Sequence, residues 1–298
     1  MKRFAPGAAA LLALAACRGP LQALRLEASV VTETGKFQLE YASSDERDIV
    51  ELQTVLHATG PKLARWGTLA EPVVVHVLPD HRLLEEAVDR SGYPWLRAWA
   101  RYDEVFLQAP HTWSLFGASQ RELDELLLHE LTHCVMYQAA GSRSTWAEKE
   151  IPLWFREGLA TVTAAQGYRW PSLEDLARYY EAHPGADPLA APEALYRTQS
   201  EVVYGAAHHA MTFLLRRYGD DRVKAVLAEL KAGRDFPAAF EQAIGVRASA
   251  FVAEVERYVK MRGFRGGRVR RSGVAAPLPP GAPESPVPGE GASGQPQG

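Results

Sequence analysis

Two histidines and a glutamate lie close together in residues 129–133, which read HELTH. His129 and His133 are four residues apart, so on a helix both imidazoles project from the same face, one turn above the other. That separation suits two ligands of a single tetrahedral Zn²⁺. Glu130 directly follows the first histidine, where its carboxylate can reach a water at the metal rather than the metal itself. The pattern therefore predicts a zinc site with Glu130 as a general base.

A zinc site that performs chemistry needs a third protein ligand and a fourth position left open. Glu157 is the leading candidate, within residues 152–160, which read PLWFREGLA. Pro152 suits the start of a helix, because its missing N–H would have no helical partner there. Gly158 costs a helix about 1 kcal/mol relative to alanine. We therefore expect a second helix that lies very close to its neighbour or leaves space for the metal.

HELTH followed by WFREGLA resembles the gluzincins, the thermolysin and aminopeptidase clan of zinc peptidases, and most of all their peptidase MA-like domains. The resemblance covers about residues 100–260. It implies that His129, His133 and Glu157 bind one Zn²⁺ and that Glu130 activates water. It also implies a peptide or protein substrate.

The same resemblance suggests further site residues. Tyr204, in a segment similar to the family's YG-x-A pattern, is expected to stabilise the oxyanion, although a tyrosine packed between helices fits the pattern equally well. His208, one turn later, is a weaker alternative. The family also places an edge strand before the HExxH helix, and residues 102–108 fit that position. Arg156 stands where the aminopeptidase branch usually has asparagine, and a G-x-M-E-N-type exopeptidase segment is absent, so an endopeptidase is favoured.

The elements that must position these residues predict an α+β fold. Strand patterns at 37–41, 73–78 and 102–108 alternate with helical ones, which indicates a mixed β-sheet with helices in the N-terminal part. Pro61 predicts a kink or break in the first helix near residues 59–60. From Ser119, which matches a capping box with Glu122, the chain is mainly helical and carries the zinc site. Helical patterns follow at 172–182, 200–218, 220–232 and 248–261.

The first residues resemble a bacterial lipoprotein signal, the lipobox. Lys2 and Arg3 precede an apolar run, residues 8–16, that is too short to span a bilayer and ends at Cys17. The resemblance implies cleavage before Cys17 and lipid attachment to it, so we expect an envelope protein anchored to a membrane, with the outer membrane favoured. A plain signal peptide with an incidental cysteine is the alternative. The predicted divisions are a signal peptide (1–17), a tether (18–36), a metallopeptidase domain (37–262) and a disordered Pro/Gly-rich tail (263–298).

Composition excludes one class of function and leaves one thiol. The formal net charge of −3 gives no basic surplus, so nucleic-acid binding is not expected. The chain has two cysteines. If Cys17 carries lipid, Cys134 has no partner for a disulfide, and its position in an apolar helix predicts a small core residue.

The sequence therefore favours a zinc-dependent endopeptidase, with two alternatives. One is a non-catalytic zinc-binding lipoprotein that serves as a binding or envelope-assembly module. Glu130 argues against it, because a purely structural zinc site needs no general base and usually has four ligands rich in cysteine. The other is a zinc hydrolase acting on a non-peptide amide or a cell-wall peptide, which differs only in substrate.

Overall fold

The structure, a computed structural model, describes residues 19–196 and 198–265 of the 298-residue chain. A mixed five-stranded sheet forms the first part, and the rest is mostly helical, which confirms the predicted α+β class. The strand order is β1-β2-β3-β5-β4; β2, β3 and β5 are parallel, whereas β1 and β4 run antiparallel to their neighbours. The strands are β1 (Leu26–Val31), β2 (Lys36–Tyr41), β3 (Val73–Leu78), β4 (Ala98–Ala100) and β5 (Glu104–Gln108).

One face of the sheet packs against two long helices, a short helix packs against the other face, and further helices form the second part of the chain. The helices are α1 (Glu46–Ala64), α2 (His81–Val88), α3 (Gln120–Ala140), α4 (Leu153–Thr163), α5 (Leu173–Ala182), α6 (Glu193–Tyr196), α7 (Ser200–Tyr218), α8 (Asp220–Lys231), α9 (Phe236–Ile244) and α10 (Ala248–Arg265). The main core joins α1, α3 and this face of the sheet, where Leu52, Leu127 and Val75 are fully buried. A smaller core between the other face and α2 contains Leu84 and Phe106.

The central helix α3 begins at the capping box predicted from the sequence. The Ser119 hydroxyl accepts the Glu122 N–H at 3.3 Å, and the Glu122 carboxylate accepts the Ser119 N–H at 2.9 Å. From residue 125 to residue 138 every side chain of α3 is buried, because α1, α4, α8 and β4 surround it. The HELTH segment therefore lies in the interior on a fixed element.

Helices α4 and α7 approach each other closely at Gly158. A Cβ atom at this position would lie 2.6 Å from the Ala207 carbonyl oxygen and 2.8 Å from the Met211 Cβ. Only glycine allows the two helices this separation. The close approach expected from Gly158 in a helical pattern is confirmed.

Two predictions about strands are wrong. Residues 102–108 were expected to form an edge strand, but β5 lies between β3 and β4, and the three-residue strand β4 forms the edge. The predicted tether, 18–36, contains β1, which pairs with β2 along its whole length and buries Val30. A strand at the sheet border depends on pairing with distant residues, which a local pattern does not encode.

Two predicted helix limits also differ from the structure. Helix α1 continues through Pro61 to Ala64 without a break. Pro61 stands in the last turn, so the backbone hydrogen bond that its missing N–H cannot donate is one of the last in the helix. Helix α10 reaches Arg265, past the expected start of the tail at residue 263, and residues 266–298 are outside the described part.

The predicted lipidation site, Cys17, also lies outside the described residues. Within 19–196 and 198–265, helices are either too short or too polar to cross a bilayer. Cys134 is fully buried in α3, as expected of a core residue, and its Sγ lies 3.3 Å from the Arg101 carbonyl oxygen.

Candidate metal centre

The structure brings together the three predicted zinc ligands. His129 and His133 come from adjacent turns of α3, and Glu157 comes from the first half of α4. The Glu157 Oε2 atom lies 3.3 Å from His129 Nε2 and 3.7 Å from His133 Nε2. One ligand atom from each side chain falls within 4.8 Å of the other two, and this is the group with that property among the described residues.

The donor set fits a zinc ion. The side chains of His129, His133 and Glu157 are at most 1% exposed. A buried carboxylate is normally hydrogen-bonded on both oxygens, yet Glu157 Oε1 has no hydrogen-bond partner in the described part of the protein. Two imidazole nitrogens and one carboxylate are the ligands of catalytic zinc sites that keep a fourth position open. These residues therefore suit Zn²⁺.

Glu130 projects from α3 towards strand β4 at the edge of the sheet. Its side chain is 1% exposed, and its carboxylate accepts a hydrogen bond from the backbone N–H of Ala100 in β4. Its Oε1 atom has no hydrogen-bond partner among the described residues. Burial raises the pKa of Glu130 to about 8. A carboxylate with a raised pKa and a free oxygen accepts a proton readily near neutral pH.

The charges of the ligands depend strongly on one another. Burial opposes ionisation of Glu157, but His133, His129 and Arg156 outweigh it and lower its pKa to about 2. Burial lowers the pKa of His133 to about 3. Burial also disfavours charged His129, but its contact with Glu157 and the charge of Glu130 outweigh that effect and raise its pKa. The centre thus contains an ionised carboxylate and a neutral imidazole, both suited to bind a cation.

Gln166 orients the His129 ring through a contact that was not predicted from the sequence. Its Oε1 atom lies 3.0 Å from His129 Nδ1, and its Nε2 donates to the Glu125 carbonyl oxygen at 3.4 Å. Because an amide oxygen only accepts, Nδ1 carries the proton of the neutral ring, and this tautomer leaves the Nε2 lone pair for a metal. The Thr161 hydroxyl, one turn after Glu157, donates to the Gly158 carbonyl oxygen at 3.1 Å.

Tyr204 lies in α7 within a cluster of aromatic side chains. Its side chain is 1% exposed, its ring stacks on Trp170 at 5.0 Å, and its hydroxyl lies 3.2 Å from that of Tyr196. Tyr196 interacts electrostatically with Arg156, the residue before Glu157. Tyr204 is therefore connected to the metal-ligand helix through Tyr196.

His208 contacts α4 one turn beyond Tyr204. Its Nδ1 lies 3.4 Å from the Thr161 hydroxyl, and its ring packs so closely against Gly167 that a Cβ there would lie 2.5 Å from Nε2. Burial lowers its pKa to about 4, so the imidazole is neutral at pH 7.

Tyr137 and Arg156 lie one after the other beside the ring of His133 in the folded protein, Tyr137 against the ring and Arg156 against Tyr137. The Tyr137 ring stacks on the His133 ring with centroids 5.9 Å apart. The Arg156 guanidinium, 4% exposed, donates to the Tyr137 hydroxyl at 3.5 Å. Arg156 stands where the aminopeptidase branch of the resembled family usually has asparagine. Its guanidinium contacts Tyr137, which stacks on the predicted ligand His133.

Comparison with known proteins gives distant matches. No protein-family model matches the chain, and no curated protein matches it. An M1 zinc metallopeptidase from Deinococcus radiodurans is 17% identical, with a TM-score of 0.37 over 88% of this chain and 54% of that one. A variant of an M1 zinc metallopeptidase from that organism, bound to a Tyr-Ser-Ala substrate, is 18% identical, with a TM-score of 0.42 over 85% of this chain and 53% of that one. The chain thus spans about half the length of these solved structures, which are zinc metallopeptidases.

Proposed function

We propose that the protein is a zinc-dependent hydrolase that cleaves internal peptide bonds. The observation that carries this proposal is the buried group of His129, His133 and Glu157 with the carboxylate of Glu130 beside it. Such a set holds zinc with one position left for a water or a substrate oxygen. A bound Zn²⁺ would lower the pKa of a water and polarise the scissile carbonyl.

Glu130 would be the general base. Its Oε1 takes a proton from the attacking water and then transfers it to the nitrogen of the leaving amine. The hydrogen bond from the Ala100 N–H orients the carboxylate for both transfers. Gln166 keeps His129 in the tautomer that presents Nε2 to the metal.

An oxyanion forms when water attacks the carbonyl, and α7 offers two groups for it. The Tyr204 hydroxyl is a suitable donor, and its link through Tyr196 towards Arg156 favours it. His208 is the second candidate. Its lowered pKa keeps it neutral at pH 7, and a neutral imidazole still donates one N–H.

The free edge of β4 supports an extended peptide as substrate. In the described sheet β4 pairs with β5 on one side only, and the Ala100 N–H on this strand already reaches Glu130. An extended peptide can add to such an edge as a further strand, which places an internal bond beside the metal centre. This mode of binding supports endopeptidase rather than exopeptidase activity. A lipid at Cys17 would hold the enzyme at the cell envelope.

The test is cleavage of an unstructured protein and a peptide library by the full chain, with products identified by mass spectrometry. We expect cleavage at internal bonds that stops on chelation and returns with Zn²⁺. Glu130→Gln should lower the rate about 100-fold or more, whereas Glu148→Gln, an exposed glutamate in a 3-10 turn, should leave it unchanged.

The same experiment separates the competing functions. Complete burial of the ligands is also what a non-catalytic zinc-binding module would show. Bound zinc without cleavage of any substrate would favour that module. Cleavage that persists in Glu130→Gln would contradict the assignment of the base.

A further inference from the structure

Two adjacent apolar side chains, Leu115 and Phe116, project into solvent at 99% and 98% exposure. The other large apolar side chains that are exposed in the described residues stand singly in the sequence and are 36–74% exposed. Single exposed apolar residues are normal on protein surfaces, but an adjacent pair without protein contact needs a reason. We call Leu115 and Phe116 the apolar tip.

The backbone of the apolar tip is fixed by hydrogen bonds rather than by its apolar side chains. The tip occupies the centre of a turn in which Gly117 N–H donates to the Ser114 carbonyl oxygen at 3.1 Å. The Ser114 hydroxyl donates to the Gly117 carbonyl oxygen at 2.6 Å and accepts the Phe116 N–H at 3.1 Å. At the base of the loop, Ala118 N–H donates to the Pro110 carbonyl oxygen at 2.9 Å. The fold therefore does not depend on the apolar character of the tip.

The loop that carries the apolar tip and the start of strand β1 lie at the same end of the sheet. The parallel strands β2, β3 and β5 finish together, and the loop that carries the tip leaves β5 at this end. Strand β1 is antiparallel to β2, and its first residue, Leu26, pairs with Tyr41, the last residue of β2. Three strand spacings separate β1 from β5, about 14 Å. The segment before β1 packs on α2 and β3.

The sequence before this segment is the apolar run 8–16 followed by Cys17. Cys17 precedes Gly19, the first described residue, by two positions, and Gly19 precedes Leu26 by seven. A membrane attachment through this leader would therefore hold the end of the sheet that carries the tip against the bilayer. We propose that Leu115 and Phe116 insert into the surface of that lipid bilayer as a second contact beside the N-terminal attachment.

A bilayer fits the size of the apolar tip better than a protein partner. A stable protein interface buries about 800 Å² on each side, far more than two side chains provide. Insertion to the level of the lipid headgroups needs only a small apolar element when a separate attachment already holds the chain there.

Insertion would fix the height of the metal centre above the membrane. Helix α3 begins directly after the loop, and His129 lies about 14 Å along its axis from Gln120. Two contacts with the bilayer restrict the tilt of the protein, whereas a single attachment does not. This inference is independent of the chemistry at the zinc ligands.

An environment-sensitive fluorophore at the tip tests the proposal. The full chain, isolated with its N-terminal attachment in place, would carry Phe116→Cys. An attached group leaves no thiol at Cys17, and Cys134 is fully buried with the pKa of its thiol raised by burial, so the label attaches at position 116. The control carries the label at Val31→Cys, which is 69% exposed at the opposite end of β1. Both are mixed with vesicles of phosphatidylethanolamine and phosphatidylglycerol, and the vesicle-bound fraction is measured.

We expect the label at position 116 to shift to shorter wavelength and to lose quenching by aqueous iodide, and the label at position 31 to do neither. A label at 116 that stays accessible in the bound fraction would overturn the proposal, as would failure of the chain to bind vesicles. Shielding that appears without vesicles as protein concentration rises would assign the tip to a second copy and also overturn it. Leu115→Ser with Phe116→Ser should leave the Tm unchanged; a fall would mean that the tip serves the fold.

Discussion

Single side chains in the metal centre differ in how far their roles follow from the sequence. His129 and His133 meet because a separation of four residues places them on one helix face whatever the tertiary structure is. Gln166 reaches His129 only because the turn after α4 folds back over α3, and Ala165 in that turn adopts a φ of 56°. No residue spacing encodes this contact. The contact of the Ala100 backbone N–H with Glu130 is not encoded by spacing for the same reason.

Gln166 provides a test at this scale. Gln166→Leu removes the acceptor of the His129 Nδ1 proton and frees the ring to rotate or change tautomer. We expect zinc affinity to fall about 10- to 100-fold, measured by competition with a chromophoric chelator. Gln166→Glu keeps an acceptor oxygen and should retain more of the affinity. Equal zinc affinities of Gln166→Leu and the unchanged protein would contradict the role.

Features of a single helix or strand follow from local sequence patterns more often than the pairing of two elements does. The start of α3 follows from Ser119 and Glu122, because a capping box is local. Strand β4 has three residues and gives no alternating pattern, so the neighbouring segment 102–108 took its place as the predicted edge. The contact of α4 with α7 is an intermediate case, since Gly158 signalled a close approach but not its partner.

The α4–α7 contact predicts the effect of Gly158→Ala. Alanine favours a helix by about 1 kcal/mol over glycine. However, its Cβ would lie 2.6 Å from the Ala207 carbonyl oxygen, which belongs to backbone and cannot rotate away. We expect the free energy of unfolding to fall by about 1–3 kcal/mol, measured by urea denaturation. A variant more stable than the unchanged protein would show that the helices separate at no cost.

Helix α7 also predicts a dependence of stability on pH. Burial lowers the pKa of His208 to about 4, whereas it is about 6.5 in the unfolded chain. Between these values the unfolded chain binds the proton and the folded protein does not, so stability falls as pH decreases from 6.5 towards 4 and is level above 6.5.

The control for this effect is His208→Gln, which does not titrate. Between pH 8 and pH 5, the unchanged protein should lose about 2 kcal/mol more unfolding free energy than the variant. Urea denaturation with a chelator present gives the difference, because titration of the metal ligands then affects both proteins equally. A difference that does not change with pH would contradict burial of a neutral His208.

For the whole molecule, the sequence predicted the order of a sheet followed by helices, because strand and helix periodicities change visibly near residue 119. It did not predict how distant segments combine. Strand β1 joins the sheet by pairing with β2. Helices α6 and α9 complete the helical part, and neither was predicted from the sequence. The metal centre depends on both levels, since α3 supplies two ligands by local spacing and the packing of α4 supplies the third.

The proposed zinc site is tested most directly by the metal content and X-ray absorption spectrum of the full chain, measured beside Glu157→Ala and the exposed control Glu148→Ala. We expect one zinc per chain, bound by two imidazole nitrogens and a carboxylate at about 2.0–2.2 Å. The zinc should be retained in Glu148→Ala and lost or greatly weakened in Glu157→Ala. A chain without zinc, or a Glu157→Ala variant that holds zinc with unchanged coordination, would contradict the proposed site.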